Sequence, residues 1–92
     1  MGAQGYKSLL AKHGLRFSKR EGNVRVAEKL YGDGMIKVIA NTFPNGKLRS
    51  IDISIKDDGY WRAYMRREAV VIANAISRDK PEVTVNLLGC KI

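Results

Sequence analysis

Apolar positions between Asp57 and Arg78 recur every three to four residues, a spacing that predicts one amphipathic helix over residues 57–78. Trp61, Met65, Ala69, Ile72 and Ile76 fall on one stripe, flanked by Tyr64, Val71 and Ala75, so this side is expected to face a core. The opposite side presents Arg62, Arg66, Arg67, Asn74 and Arg78. Asp57 and Asp58 precede the helix, where a carboxylate can accept from unpaired backbone N–H groups and meets the positive end of the helix dipole. Arg78 and Lys80 stand at the other end, and Pro81 stops the helix. Glu68 lands within the apolar stripe, where an unpaired carboxylate is costly to bury. It is expected at the edge of the buried surface, paired to a lysine, arginine or tyrosine.

Upstream, Tyr6, Leu9, Leu10 and His13 share one face of a short helix over residues 6–13, which Gly14 ends. Residues 15–22, LRFSKREG, set Arg16, Lys19 and Arg20 beside an apolar pair and read as a basic loop or a short edge strand. From Asn23 to Tyr31 the period drops to two, the mark of a strand, with Val24, Val26 and Leu30 as the expected buried set and Glu28 interrupting it. Gly32, Asp33 and Gly34 then turn the chain.

Residues 35–43 and 47–55 flank Pro44, Asn45 and Gly46 and form the strongest hairpin signal. Two turns compete. A two-residue loop of Asn45 and Gly46 sets Ile36 opposite Ile55, Val38 opposite Ile53 and Ala40 opposite Ile51, giving a continuously apolar sheet face. A three-residue loop suits Pro44 at the first corner of a type I turn and Gly46 in the left-handed position, but sets Lys37 beside Ile53. A one-residue slip flips every side chain, so the apolar face decides for the two-residue loop. The other face then carries Lys37, Asn41, Ser50, Asp52 and Ser54, with Ile39 and a Phe43–Leu48 pair. Val83, Val85 and Leu87 alternate with Thr84 and Asn86 in a last strand before Gly89. The expected architecture is a single α+β domain over residues 1–92, in the order α-β-β-β-α-β. An antiparallel sheet of about four strands packs on one long helix, with a short helix at the N-terminus.

Composition changes this picture in one respect. Seventeen Lys and Arg against nine Asp and Glu give a net charge of +8 on 92 residues, which makes a polyanion the expected partner, nucleic acid ahead of an anionic membrane or an acidic protein face. The hydrophobic fraction of 45% belongs to a globular chain rather than a disordered one. A single cysteine, Cys90, cannot form an internal disulfide. No apolar run approaches the roughly 18 residues that span a bilayer, and the N-terminus has no apolar signal region, so a cytoplasmic location is expected.

Parts for catalysis are few. There is no second histidine or cysteine for a metal site, no nucleophile motif and no phosphate-binding loop, so no catalytic residue, cofactor or metal is expected. Asp57 and Asp58 could contribute to a magnesium site in a nuclease, but adjacent carboxylates before a helix commonly act as caps. His13 is expected to pack rather than act as a base, and Trp61 to fill the core rather than stack on a nucleobase. Arg16, Lys19 and Arg20 are therefore expected to contact phosphates from a basic segment, and Arg62, Arg66, Arg67 and Arg78 from a rigid helix face.

The run MRREAVVIANAIS, in which Arg66 and Arg67 precede Glu68, Ala69, Ala73 and Ala75, resembles the last helix of the double-stranded-RNA-binding domain. That resemblance implies a duplex-binding module, although this chain adds a C-terminal strand and lacks that family's histidine-bearing loop between the first two strands. The whole chain, compact, basic and without catalytic parts, also resembles the small phage-encoded anti-CRISPR proteins, which implies binding to an RNA-guided surveillance complex in a bacterial host. The function expected is thus non-enzymatic binding of RNA or a ribonucleoprotein. The rival is a structural or interaction subunit whose basic face meets an acidic protein and whose Ile39, Phe43 and Leu48 form an oligomer contact.

Overall fold

The computed structural model describes residues 5–56 and 59–88. The helix-cap and magnesium readings of Asp57 and Asp58, and the thiol of Cys90, lie outside the described residues. In chain order the elements are α1 (Gly5–Lys12), β1 (Arg16–Glu21), β2 (Val24–Tyr31), β3 (Gly34–Thr42), β4 (Leu48–Lys56), α2 (Arg62–Asp79) and β5 (Thr84–Leu88). The strands form one five-stranded sheet in sequence order, antiparallel from β1 to β4 and parallel between β4 and β5.

This corrects the expected architecture of a four-stranded antiparallel sheet under one long helix. Of the two readings of the basic segment, the edge strand holds: residues 16–21 form β1 at one edge of the sheet, which adds a fifth strand to the four expected. The last strand is parallel because α2 carries the chain back along the sheet before β5 begins, and a helical crossover returns it in the direction in which β4 ran. The helix is also shorter than predicted. Gly59 has φ +90, and Trp61, at φ −93 and ψ 5, caps α2 without a side-chain hydrogen bond, so the helix runs for 18 residues from Arg62. The 18-residue α2 and the eight-residue α1 together cover one face of a mixed sheet.

The core lies between that face and the helices. Ile36, Val38 and Ala40 of β3 and Ile51 and Ile53 of β4 are fully buried beneath Met65, Ala69, Ile72, Ala73 and Ile76 of α2. Tyr6 and Leu10 of α1, Ala27 and Tyr31 of β2, and Leu15, Leu48 and Val83 complete the cluster. Each large aliphatic side chain so enclosed contributes about 1.5–3 kcal/mol. Trp61 is partly buried against the cluster. Tyr64 and Val71, expected on its flank, are half exposed.

Pairing register decides which face each strand turns inward. The hairpin sets Ile36 opposite Ile55, Val38 opposite Ile53 and Ala40 opposite Ile51, the register that a continuous apolar face requires. The turn itself is nevertheless the three-residue one. Phe43 N–H donates to the Lys47 carbonyl and Gly46 N–H to the Phe43 carbonyl, both at 2.8 Å, and Gly46 takes φ +90. A bulge reconciles the two, because Asn41 pairs with Ser50 while Thr42 pairs with Leu48, leaving Arg49 as an extra residue. The bulge turns Leu48 into the core at 7% exposure, which corrects its expected place beside Phe43 on the open face.

β2 is inverted relative to expectation. Ala27 pairs with Val38 and Lys29 with Ile36, and paired residues share a face, so Arg25, Ala27, Lys29 and Tyr31 look toward the helices. Leu30, expected to be buried, is 69% exposed. Lys29 is tolerated on the inner face because its Nζ donates to the His13 carbonyl at 3.1 Å, where a cation suits the C-terminal end of α1. Glu68 Oε2 lies 3.8 Å from His13 Nδ1 across the α1–α2 contact, a neighbour the sequence did not suggest, and its charge also acts on Lys29.

Candidate nucleic-acid interface

The sequence-predicted cations do not assemble on one surface. Arg16 pairs with Glu28 and Lys19 with Val26, both on the sheet face turned away from the helices. Arg62, Arg67 and Arg78 are exposed along α2, and Arg66 is half-buried. These two groups lie on opposite sides of the sheet. Arg20 is on the other side: the β1 register shifts between Phe17 and Lys19, so that Ser18 is bulged and Arg20 pairs with Arg25 on the helix side.

Arg20 and Arg25 join a cluster that the sequence did not reveal. A cleft of about 710 Å³ opens between the start of α1, the tip of the β3–β4 hairpin and the turn from α2 into β5. Lys7, Arg25, Lys47 and Lys80 line it, with Glu82 as the acidic residue among them, and Tyr6 and Phe43 supply rings. A second hollow of about 410 Å³ continues past Lys7 and Arg25 to Phe17, Lys19 and Arg20. Lys7 and Arg25 line both, so the two form one basic track along the edge of the molecule.

Local structure fixes the backbone at Lys47 and Lys80 and the side chain of Arg25. Lys80 ends α2, its N–H donating to the Ile76 carbonyl at 2.8 Å and its carbonyl accepting from Val83 N–H at 3.0 Å. Lys47 follows the hairpin turn, and its N–H donates to Asn45 Oδ1 at 2.9 Å. Arg25 Nη1 donates to the Gly22 carbonyl at 3.0 Å. A Cβ built on Gly5 would lie 3.3 Å from Lys80 Cε and Nζ, so the Lys80 side chain reaches across the start of α1. Among the described residues, none of Lys7, Arg20, Arg25, Lys47 and Lys80 is held in an ion pair with a carboxylate. Burial raises the pKa of the Tyr6 phenol, and the positive charge of Arg25 acts in the opposite direction, so the hydroxyl stays protonated as a donor at the cleft wall.

Lys7, Arg25, Lys47 and Lys80 were missed because no linear spacing links them. They come from a helix start, a strand interior, a turn exit and a helix exit. Arg25 carried one usable signal, its place in the odd-numbered set of β2, but reading it requires the register with β3.

The remaining aromatic cluster is not a second site. Tyr31, Trp61 and Tyr64 pack on one another with centroids 5.5–5.7 Å apart, and Tyr60 meets Trp61 at 5.3 Å, so no ligand-sized gap separates the rings. Among the described residues no group of three or more His, Cys, Asp or Glu could hold a metal ion, and no helix is long and apolar enough to cross a membrane. Compared with known protein families, curated proteins and solved structures, the chain matches none.

Proposed function

We propose that this protein binds RNA, free or within a ribonucleoprotein, through phosphate contacts and without catalysis, in the cytoplasm of its host. The observation that carries this reading is the convergence of Lys7, Arg25, Lys47 and Lys80 on one cleft against a single acidic residue, Glu82. A fold gains nothing from gathering like charges in a concavity, where low-dielectric walls strengthen their repulsion, whereas a polyanion releases counterions on entering it. The α2 arginines Arg66 and Arg67 extend the positive field and are a secondary contact in this reading. An inhibitor of an RNA-guided complex is the narrower form of the same proposal, with guide RNA as the anion. The oligomeric rival loses one of its residues, because Leu48 is in the core.

The test is a salt titration of binding to labelled RNA by fluorescence anisotropy, comparing the wild type with Lys7→Ala/Arg25→Ala and with Arg66→Ala/Arg67→Ala. Loss of two phosphate contacts should reduce the slope of log K against log salt by about 1.4 for a single strand or about 1.8 for a duplex. The larger reduction is expected in the cleft variant. Equal slopes in all three proteins, or no retention of RNA at physiological salt, would overturn the proposal.

A further inference from the structure

We infer that the basic track accepts an unpaired strand of nucleic acid, whose bases stack on Phe43 at one end and Phe17 at the other; this rests on the phosphate-binding reading above. Phe43 is 45% exposed and Phe17 38% exposed, and they line the two hollows that meet at Lys7 and Arg25. Cations thus sit between two accessible rings.

Neither ring is itself buried in the core. Phe43 stands at a locked turn, its N–H bonded to the Lys47 carbonyl and its carbonyl to Gly46 N–H, and the bulge at Arg49 buries Leu48 while Phe43 stays out. An exposed phenyl on fixed backbone loses little conformational freedom when a base covers it. Phe17 immediately precedes the Ser18 bulge and meets Tyr6 edge-on, with centroids 6.3 Å apart and planes at 73°. The same bulge brings Arg20 round to the side that Phe17 occupies, so one irregularity places a ring and a cation together.

This arrangement selects against a duplex on geometric grounds. Paired bases are stacked inside the helix and present only phosphates and groove edges to a concave track, so the rings would contribute nothing to duplex binding. A single strand offers phosphates to Lys7 and Arg25 and π-faces to the rings at once. RNA and DNA share both features, and the sugar is left to the measurement.

The experiment compares oligouridylate and oligothymidylate of about 12 nucleotides, within the range of site sizes known for single-strand grooves, with a duplex of oligouridylate and oligoadenylate of the same length. Each is titrated against the wild type, Phe43→Leu, Phe43→Trp, Phe17→Leu and Lys7→Ala/Arg25→Ala. The single strands should bind at least about tenfold tighter than the duplex, and Phe43→Leu should weaken single-strand binding about five- to a hundredfold while leaving duplex binding unchanged. Phe43→Trp should retain affinity and show quenched tryptophan emission on binding. Phe17→Leu also removes the contact with Tyr6, so Phe43 is the deciding position. Equal affinity for strand and duplex, with Phe43→Leu unaffected and the Lys7/Arg25 dependence intact, would overturn the stacking inference and leave phosphate binding standing. Binding to an oligoglutamate peptide but to none of the nucleic acids, or no effect of Lys7→Ala/Arg25→Ala, would overturn both.

Discussion

Arg20 and Arg25 stand directly opposite one another in the β1–β2 ladder, on the face that carries the helices. Like charges in that position destabilise a sheet by about 0.2–1 kcal/mol. Arg20→Gln should therefore raise the free energy of unfolding by about 0.2–1 kcal/mol in urea denaturation. The same change should weaken RNA binding. A variant that loses stability together with binding would mark Arg20 as structural.

Gly46 tests the hairpin turn. It adopts φ +90, and a Cβ there would meet nothing within 4 Å, so the cost of Gly46→Ala is confined to the backbone. That cost is about 1–2 kcal/mol. The urea midpoint should fall with the slope unchanged. No comparable loss is expected from Pro44→Ala, because proline at the first corner of a type I turn is favoured but not required.

Neighbouring residues of α2 should separate core from flank. Ile72 is fully buried, whereas Val71 is 46% exposed. Ile72→Ala is expected to cost about 2–5 kcal/mol through lost burial and the cavity left behind. Val71→Ala should stay within about 0.5 kcal/mol, as surface substitutions do. Similar losses at both positions in urea denaturation would mean that Val71 is covered in solution.

What was legible in the sequence followed from periodicity over long segments. The α2 stripe was visible in Met65, Ala69, Ile72 and Ile76, and the β3–β4 register in three isoleucines of β4 that had to face Ile36, Val38 and Ala40. Strand direction and strand count were not legible, because a basic, exposed β1 has no buried face to betray its period and nothing local to β5 says which way it runs. β2 misled because its valines look outward while its inner face holds Arg25 and Lys29, the second of which bonds to the distant His13 carbonyl. The cleft was hidden for the same reason: its cations meet only after the start of α1, the hairpin and the end of α2 have been brought together.

Lys29 and Tyr6 give the fold a defined response to alkali. The pKa of Lys29 is raised above its ordinary 10.5, first by Tyr31, whose ring centroid lies 5.2 Å from the Lys29 Nζ, against the opposing effect of burial, and further by the negative charge of Glu68. That of Tyr6 is raised above 10.0, chiefly by burial. Both groups hold their proton more tightly in the folded chain, so both contribute stability that is fully present below the unfolded pKa. That contribution is lost as pH rises through the folded pKa. Removing positive charge from the other lysines acts the other way in a chain of net charge +8, because it relieves repulsion, so the wild-type profile alone does not isolate the effect. The comparison that does is urea stability from neutral pH to strong alkali in the wild type against Lys29→Met/Tyr6→Phe. The wild type should lose stability relative to the variant above pH 10, and parallel profiles would show that neither group gains its proton affinity from folding.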